Sequence, residues 1–284
     1  MPELPELQAL AEGLTSALAG RVVEGARVHQ PATLKTADPP LEALVGRRVA
    51  GVRRRGKILI VEHEDGPALV IHLMQAGRLG LAAAGAGRPG RTAALDLDVG
   101  GGETLRLREL STHRRASAHL LDAAGLAAHR PLARLGPEPI GLGADGWRAA
   151  LGGPGALLHT ALRDGRRVAG IGRAYASDIM WAARLAPFGR AGDLGDDELA
   201  RLARAADAVL TQALERARER ITTDLPNREA RLTAVHGHHG EPCLRCGTLL
   251  ERVSFAEYEL VYCPACQTGG RRYRDRRLSR LLRE

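Results

Sequence analysis

The chain has 284 residues, a length typical of about two domains, and its 44% content of hydrophobic residues excludes wholesale disorder. No apolar run reaches the roughly 18 residues of a membrane-spanning helix, and the start MPELPEL lacks the basic and apolar regions of a secretory signal. We therefore expect a soluble, cytoplasmic protein. Its net charge of +8 and isoelectric point near 10.0 favour a polyanionic partner.

The positive charge is concentrated in two runs. The second of them is a basic tail at 269–284, in which seven arginines outnumber two acids. One such run is often only a solvated surface, whereas two runs on a basic chain favour a nucleic acid and association with the nucleoid. The first run has no acid and contains Arg47, Arg48, Arg53, Arg54, Arg55 and Lys57.

Arginine almost completely replaces lysine in this chain, since Lys35 and Lys57 are the two lysines among 41 basic residues. A guanidinium stays protonated, so a retained amine indicates a position whose side chain must lose a proton. Lys57 is the better candidate, because it lies in the basic run at the start of a predicted strand. The alternative is that neither lysine has a special role.

Residues 1–135 have the pattern of a β-rich domain that begins with a helix. After Pro5, a residue suited to a first helical turn, leucines recur at helical spacing at 7, 10, 14 and 18. Short apolar stretches then alternate with turn residues, which predicts closely spaced strands and a sandwich or barrel-like sheet. The predicted strands are 57–62, 68–74, 95–99 and 104–107.

A proline- and glycine-rich stretch at 135–143 predicts a domain boundary. Beyond it the apolar spacing becomes helical, with helices predicted over 174–185 and from Asp196 onward. The predicted division of the chain is an N-terminal domain at 1–135, a helical domain at 145–225, a small third module at 236–268 and the basic tail at 269–284.

All four cysteines lie in the third module, as two Cys-x-x-Cys pairs separated by sixteen residues. Two such pairs at this spacing hold a tetrahedral Zn²⁺ through four thiolates. Disulfides are disfavoured in a cytoplasmic chain, and a redox Cys-x-x-Cys does not occur as two pairs. We predict one structural zinc ion that fixes the hairpin between the pairs, bound by Cys243, Cys246, Cys263 and Cys266.

The N-terminus offers a candidate nucleophile. Removal of Met1, which is usual before proline, leaves Pro2 as a free amine with a pKa of about 7.7–8.0, so that part of it is neutral at physiological pH. A neutral secondary amine attacks an aldehyde or a sugar C1′ and forms an iminium, which promotes elimination. Glu3 and Glu6 are carboxylates able to move protons beside it. From these residues alone, however, a plain helix start is the simpler interpretation.

Taken together, these features resemble the formamidopyrimidine-DNA glycosylase/endonuclease VIII family. The resemblance lies in MPELPE at the N-terminus, Lys57 after the basic run, the segment GIGRAYAS at 170–177 and the paired cysteines, and it covers about residues 1–268. It implies an α+β protein with an N-terminal β-sandwich preceded by a helix, a helix–two-turn–helix domain and a C-terminal zinc finger with four cysteine ligands. It also implies a monomer that kinks damaged double-stranded DNA, excises a damaged base and cleaves the strand at the abasic site.

By position, the resemblance implies roles for four residues of the first domain. Pro2 resembles the Schiff-base nucleophile, and Glu3 the acid that protonates the sugar or base. Glu6 resembles a second carboxylate of that site, and Lys57 the lysine that contacts phosphate and assists elimination. The four cysteines match the zinc ligands.

The chain departs from the family where the family grips phosphates. The arginine of the zinc-finger hairpin is Tyr258 here, the asparagine after Gly-Ile-Gly is Arg173, and a lysine of the helical domain aligns with His159. Because the family's second elimination is credited to the hairpin arginine, we expect this chain to stop mainly after β-elimination.

It also departs where the family fills the gap left by the flipped nucleotide. The void-filling methionine position is Gln75, and the Arg-Arg-Phe-Gly loop becomes Arg-Arg-Ala-Ser, with Ala116 in place of a wedging phenylalanine. A weaker wedge favours a base that is already destabilised, or a bulky adduct. The predicted DNA contacts are Gln75, Arg115, His159, Arg173 and Tyr258.

Two alternatives to a repair enzyme stay open at this point. A non-catalytic relative that binds abasic or distorted DNA is favoured by the loss of the hairpin arginine and the wedge, and disfavoured by the intact Pro2, Glu3 and Lys57. An unrelated zinc-ribbon nucleic-acid binder leaves the N-terminal motif unexplained.

Overall fold

The chain is described by a computed structural model that covers residues 1–83, 90–153, 155–225, 232–255 and 258–273. It divides into two compact units, of which the first comprises 1–134 with 214–230 and the second 135–213 with 231–284. The four-part division predicted from the sequence stays a prediction, and most of its basic tail, from 274 onward, lies outside the described residues.

The first unit consists of a leading helix, two small β-sheets and two short helices. Its elements are α1 (Leu4–Leu18), β1 (Gly25–Val28), β2 (Val49–Arg55), β3 (Ile58–His63), β4 (Ala68–His72), β5 (Gly77–Ala83), β6 (Ala93–Asp98), β7 (Glu103–Glu109), β8 (Ser117–Leu121), α2 (Ala123–Ala128) and α3 (Arg130–Ala133). Within the described residues, the strands form two antiparallel four-stranded sheets, in the orders β1-β6-β7-β5 and β2-β3-β4-β8.

One hydrophobic core joins α1 to both sheets. The four leucines that predict the helix are all buried in it, at 7, 10, 14 and 18. They pack in one cluster with Leu59 and Ile71 of one sheet and with Leu95 and Leu107 of the other. Burying one such side chain stabilises the fold by about 1.5–3 kcal/mol. The helix and the β-rich sandwich predicted from the sequence are thereby confirmed.

The second unit is helical, with a small hairpin near its end. Its elements are α4 (Gly143–Leu151), α5 (Leu158–Ala161), α6 (Arg173–Ala182), α7 (Asp196–Arg220), β9 (Glu251–Ser254), β10 (Glu259–Tyr262) and α8 (Pro264–Thr268). The last residues of α7, from Leu214, belong to the first unit. Trp147, Ile179 and Leu202 are fully buried in the core of this unit. The helices predicted near 174 and from Asp196 are confirmed.

In the part of the chain that the structure describes there are also three single turns of 3-10 helix, at Pro31–Thr33, Leu41–Leu44 and Ala191–Asp193. Among the helices of the described residues, none is both long and apolar enough to cross a membrane.

Candidate active site and metal centre

The N-terminus of α1 fixes the two predicted acids next to Pro2. Glu3 is the N-cap residue, and the carboxylate of Glu6 accepts a hydrogen bond from the Glu3 backbone N–H at 2.8 Å. This contact satisfies one of the free N–H groups at the helix start. Glu3 is only 3% exposed, whereas Pro2 and Glu6 are half-buried. The residues that cap the start of helix α1 are therefore the same residues that form the candidate catalytic group.

Lys57 lies in a tight turn between β2 and β3. Arg55 pairs with Ile58 across the hairpin, which leaves Gly56 and Lys57 as a two-residue turn. Gly56 has a φ of 57°, a left-handed conformation that a glycine adopts at little cost. The turn therefore presents the lysine at a fixed point on the strand ends, with its side chain half-exposed.

Arg54 ties this turn to helix α1. Its Nε donates to Oε1 of Gln8 at 3.1 Å, and its Nη1 donates to the carbonyl of Gly56 at 2.9 Å. One guanidinium thus contacts both the helix that carries Glu3 and Glu6 and the residue that precedes Lys57.

The contact continues along α1 to the end of α7. Gln8 donates through Nε2 to Oε1 of Glu12 at 3.0 Å, and Arg218 donates to both Glu12 oxygens at 2.8 and 2.9 Å. The hydrogen bond from Arg218 lowers the pKa of Glu12, which keeps this carboxylate ionised as an acceptor. Because the amide nitrogen of Gln8 donates to Glu12, the amide oxygen of Gln8 is the atom that accepts from Arg54. The sequence alone gives no sign of this chain of contacts.

His72 is a further titratable group near Lys57, and the sequence analysis did not single it out. Burial lowers its pKa, and the charge of Lys57 lowers it further. A neutral imidazole therefore ends β4 close to the lysine. The effect on its pKa comes from the fold, so no sequence pattern announces it.

Each of the two loops predicted to enter DNA has an exposed side chain, but the predicted wedge position is buried. Gln75 and Arg115 are exposed, whereas Ala116 is buried at 1% exposure. The buried carboxylate of Glu109 accepts from the backbone N–H groups of Ser111 at 2.9 Å and Ala116 at 2.8 Å, which closes the loop between them. Ala116 thus belongs to the base of the loop, in agreement with the prediction that it does not act as a wedge.

In the second unit, His159 and Tyr258 are hydrogen-bonded to each other. His159 is 2% exposed, and its Nδ1 donates to the carbonyl of Pro187 at 3.0 Å. Burial lowers its pKa, so the ring is neutral and Nε2 is an acceptor. The hydroxyl of Tyr258 donates to that nitrogen, with 3.2 Å between the two atoms. His159 therefore lies behind Tyr258 rather than at the surface.

Two arginines contact the ring of Tyr258. The guanidinium carbon of Arg163 lies 4.0 Å from the ring centroid, and that of Arg173 lies 5.0 Å from it. Phe255 also stacks on Tyr258, with 4.4 Å between centroids and 13° between ring planes. Arg173 is among the DNA contacts predicted from the sequence, whereas Arg163, which follows His159 by four residues, is not.

The four cysteines converge at the hairpin β9–β10 and helix α8. Their sulfur atoms all lie within 4.8 Å of one another, and three of the pairs are 3.4, 3.5 and 4.0 Å apart. A tetrahedron with Zn–S bonds of about 2.3 Å has edges of roughly 3.8 Å, so the thiols fit a metal ion of this kind. Trp181 of α6 donates through Nε1 to Cys243 Sγ at 3.3 Å, a contact of the type that orients a metal ligand.

Comparison with known proteins identifies the family. The chain matches the family models of the formamidopyrimidine-DNA glycosylase N-terminal domain at 1–116, its H2TH domain at 135–224 and the zinc finger found in FPG and IleRS at 240–269. It is 36% identical to a formamidopyrimidine-DNA glycosylase of Geobacter sulfurreducens over 276 residues, which covers 94% of this chain and all of the relative. The chain belongs to the formamidopyrimidine-DNA glycosylase family. The resemblance stated from the sequence, and the α+β fold that it implies, are confirmed.

Other members of the family show the same extent of similarity. A formamidopyrimidine-DNA glycosylase of Cereibacter sphaeroides is 33% identical, again with 94% of this chain and all of the relative covered. Among solved structures, MutM in complex with carbocyclic 8-oxo-G containing DNA superposes with a TM-score of 0.84 at 24% identity, over 94% of this chain and all of that chain. The complex between Lactococcus lactis Fpg and an abasic site containing DNA gives 0.82 at 22% identity, over 94% and 99% of the two chains. These structures share the fold.

Proposed function

We propose that this protein is a DNA glycosylase with abasic-site lyase activity, which excises damaged bases through a Schiff base on Pro2. The observation that carries the proposal is the start of α1, where Glu3 and Glu6 are locked together beside Pro2 while Arg54 ties the same helix to the Lys57 turn. A protein that only binds DNA does not need two carboxylates held beside an N-terminal proline. The relatives that cover the whole chain are named formamidopyrimidine-DNA glycosylases, which supports the same activity.

The proposed chemistry follows from the groups at the site. The neutral Pro2 amine attacks C1′ of the damaged nucleotide, Glu3 protonates the sugar or the base, and the base leaves with the electrons of the glycosidic bond. The Pro2 nitrogen loses its proton, the bond from C1′ to the ring oxygen O4′ breaks as O4′ takes up a proton, and the opened sugar is left with an iminium between C1′ and Pro2. The iminium draws electrons when a proton leaves C2′, and the bond from C3′ to its phosphate oxygen then breaks. We assign to Lys57 the contact with the phosphate and assistance in this elimination, and to Glu6 a supporting carboxylate role.

We also propose the partner and the metal. The partner is damaged double-stranded DNA, contacted by the exposed Gln75 and Arg115 and by Arg173 and Tyr258, with His159 supporting Tyr258. The four cysteines would hold one structural zinc ion, since a closed set of four thiolates leaves no open position for chemistry. We propose that the protein acts as a monomer in the cytoplasm, at the nucleoid.

A second candidate function is a DNA-binding relative without catalysis. Two observations favour it. Tyr258 occupies the position of the family's hairpin arginine, and the buried Ala116 occupies the position of its wedging phenylalanine. It differs from the proposed enzyme in one respect that is directly measurable, because only an enzyme with a reactive amine forms an iminium.

The product ends test the proposed chemistry. We expect a 5′-labelled abasic duplex to yield mainly the β-elimination product, with an unsaturated aldehyde at its 3′ end, on a denaturing gel. The reason is that Tyr258 lacks the guanidinium charge of the hairpin arginine and that its hydroxyl donates its proton to His159. Tyr258→Arg should increase the share of the 3′-phosphate product. A wild-type lane dominated by 3′-phosphate would contradict this prediction.

The role of Lys57 is tested by two substitutions. We expect Lys57→Ala to slow cleavage of lesion DNA by about 100-fold, a magnitude typical of lost proton transfer, with a smaller effect on abasic-site binding. Lys57→Arg should not restore the rate, because a guanidinium keeps the charge but not the exchangeable proton. Single-turnover cleavage and anisotropy binding are the measurements. Full activity of Lys57→Arg would show that the lysine acts only through its charge.

A further inference from the structure

Most of the aromatic side chains of this chain lie in one cluster of the second unit. The chain has eight Phe, Trp and Tyr residues, and five of them are linked by ring contacts that also include His159. These five are Phe188, Phe255, Tyr258, Tyr262 and Tyr273. Rings that pack against one another in this way lose little freedom when a ligand binds, so the cluster is a rigid base for whatever lies on it.

Tyr258 occupies a fixed place in this cluster. Phe255 stacks on its ring, and its hydroxyl donates to His159, whose other nitrogen is held by the carbonyl of Pro187. The ring is thus held at its face and at its hydroxyl. Both Tyr258 and His159 are uncharged, so neither repels a cation placed against the ring.

Arg163 and Arg173 come to this ring from two different parts of the helical domain. Arg163 follows α5, and Arg173 is the first residue of α6, yet both guanidinium groups lie over the same ring at 4.0 and 5.0 Å. A cation over an aromatic face is attracted by the negative potential of the ring, which helps to hold each guanidinium in place. Two guanidinium groups placed against one ring can both donate to the same anion, which each attracts through its positive charge.

The chemistry of the anion follows from the geometry of the guanidinium. A guanidinium is planar and carries its N–H donors in its own plane, and paired donors of this kind match the oxygens of a phosphate. On a chain with a net charge of +8 the anion with the most such groups is a nucleic acid backbone.

We propose that Arg163 and Arg173, held on the Tyr258 ring, form a phosphate clamp that binds the backbone of the bound DNA. The clamp rests on the proposed function only in requiring that DNA is bound. It supplies from Arg163 and Arg173 the positive charge that Tyr258 lacks, and the His159–Tyr258 pair holds the two guanidinium groups in place.

The salt dependence of binding tests the clamp. Affinity for an abasic-site duplex is measured by fluorescence anisotropy between about 50 and 200 mM salt, where each phosphate contact contributes about 0.9 to the slope of log K against log salt. We expect Arg163→Gln and Arg173→Gln each to reduce the slope by about 0.9 relative to wild type. Arg163→Lys, which retains the charge, should keep the wild-type slope.

Arg166→Gln is the matched control. This arginine lies three residues after Arg163, is exposed and pairs with Asp164 instead of the ring. Its removal should leave the slope within error of wild type. If Arg163→Gln and Arg173→Gln give the same slope as Arg166→Gln, the clamp is wrong.

Two substitutions at the ring test its supporting role. Tyr258→Phe keeps the ring and should keep most of the slope. Tyr258→Leu removes the ring and should lower the slope toward that of a variant that combines Arg163→Gln with Arg173→Gln. An unchanged slope for Tyr258→Leu would show that the ring does not orient the arginines. Covalent trapping at saturating DNA reports on Pro2 independently, so wild-type protein that shows the slopes but no trapping would overturn the proposed enzyme and leave the clamp intact.

Discussion

Cys263→Ser is expected to lower the affinity for abasic-site DNA by on the order of 100-fold or more, because the free energy of metal binding is also the folding free energy of so small a module. Cys263 directly follows β10, and β9 and β10 flank Tyr258 in the chain. Without four thiolates the hairpin loses its fixed place, and with it the Tyr258 ring. The first unit, which has its own core, should keep its thermal transition.

Leu244→Ser is the control for this substitution. Leu244 lies between two of the cysteines but is 78% exposed, so its loss leaves all four thiolates in place. Elemental analysis of freshly purified protein should show one zinc ion per chain for wild type and Leu244→Ser. Protein without metal that binds DNA as tightly as wild type would contradict the assignment.

Retention of Met1 is expected to abolish strand cleavage, with a loss of on the order of 1000-fold or more, the scale associated with removal of a covalent nucleophile. The nitrogen of Pro2 is then part of an amide and has no lone pair available for attack. DNA binding should change by less than about twofold, since the half-buried Pro2 precedes the helix rather than forming part of it.

An N-terminal extension gives the cleaner form of this experiment, because Pro2→Gly leaves a primary amine that retains part of the reactivity. The same extension at the C-terminus serves as the control for added length. Intact mass establishes the state of the terminus in each sample. If protein whose N-terminus is shown by intact mass to be blocked still cleaves DNA at the wild-type rate, the proposed role of Pro2 is refuted.

Patterns that are local in sequence predicted the fold well. The leucine spacing from Leu7 to Leu18 predicts α1 because one face of a helix is buried as a continuous stripe. The two cysteine pairs predict a four-thiolate cluster because each pair places its sulfurs on the same side of a short knuckle. The predicted strands lie where the structure has β3, β4, β6 and β7, because turn residues separate them along the chain.

The contacts that the sequence did not reveal join residues that are far apart in the chain. Arg218 meets Glu12 across 206 positions, and Arg163 meets Tyr258 across most of the second unit. The residues next to Arg218 and Arg163 in the sequence do not specify these partners, because an arginine side chain can face solvent, form an ion pair or stack on an aromatic ring. The burial of Ala116 depends in the same way on the Glu109 carboxylate, which is itself buried.

The residues of the proposed site were chosen from the sequence by residue type alone. Pro2, Glu3 and Lys57 are predicted in this way, whereas the contacts of Arg54 that join helix α1 to the Lys57 turn are visible only in the structure. Catalysis is sensitive to this kind of placement, since a shift of about 1 Å at a reacting group costs roughly 100-fold in rate.

The central claim is that Pro2 forms a covalent iminium with DNA, and borohydride trapping tests it most directly. The wild-type protein, with Met1 removed, is incubated with an abasic-site duplex and sodium borohydride, and the adduct is digested and located by mass spectrometry. We expect one stable protein–DNA adduct, with the modification on the N-terminal peptide at Pro2 and none in protein that retains Met1. Absence of an adduct while the abasic duplex is bound, or an adduct on Lys57 instead of Pro2, would contradict the account.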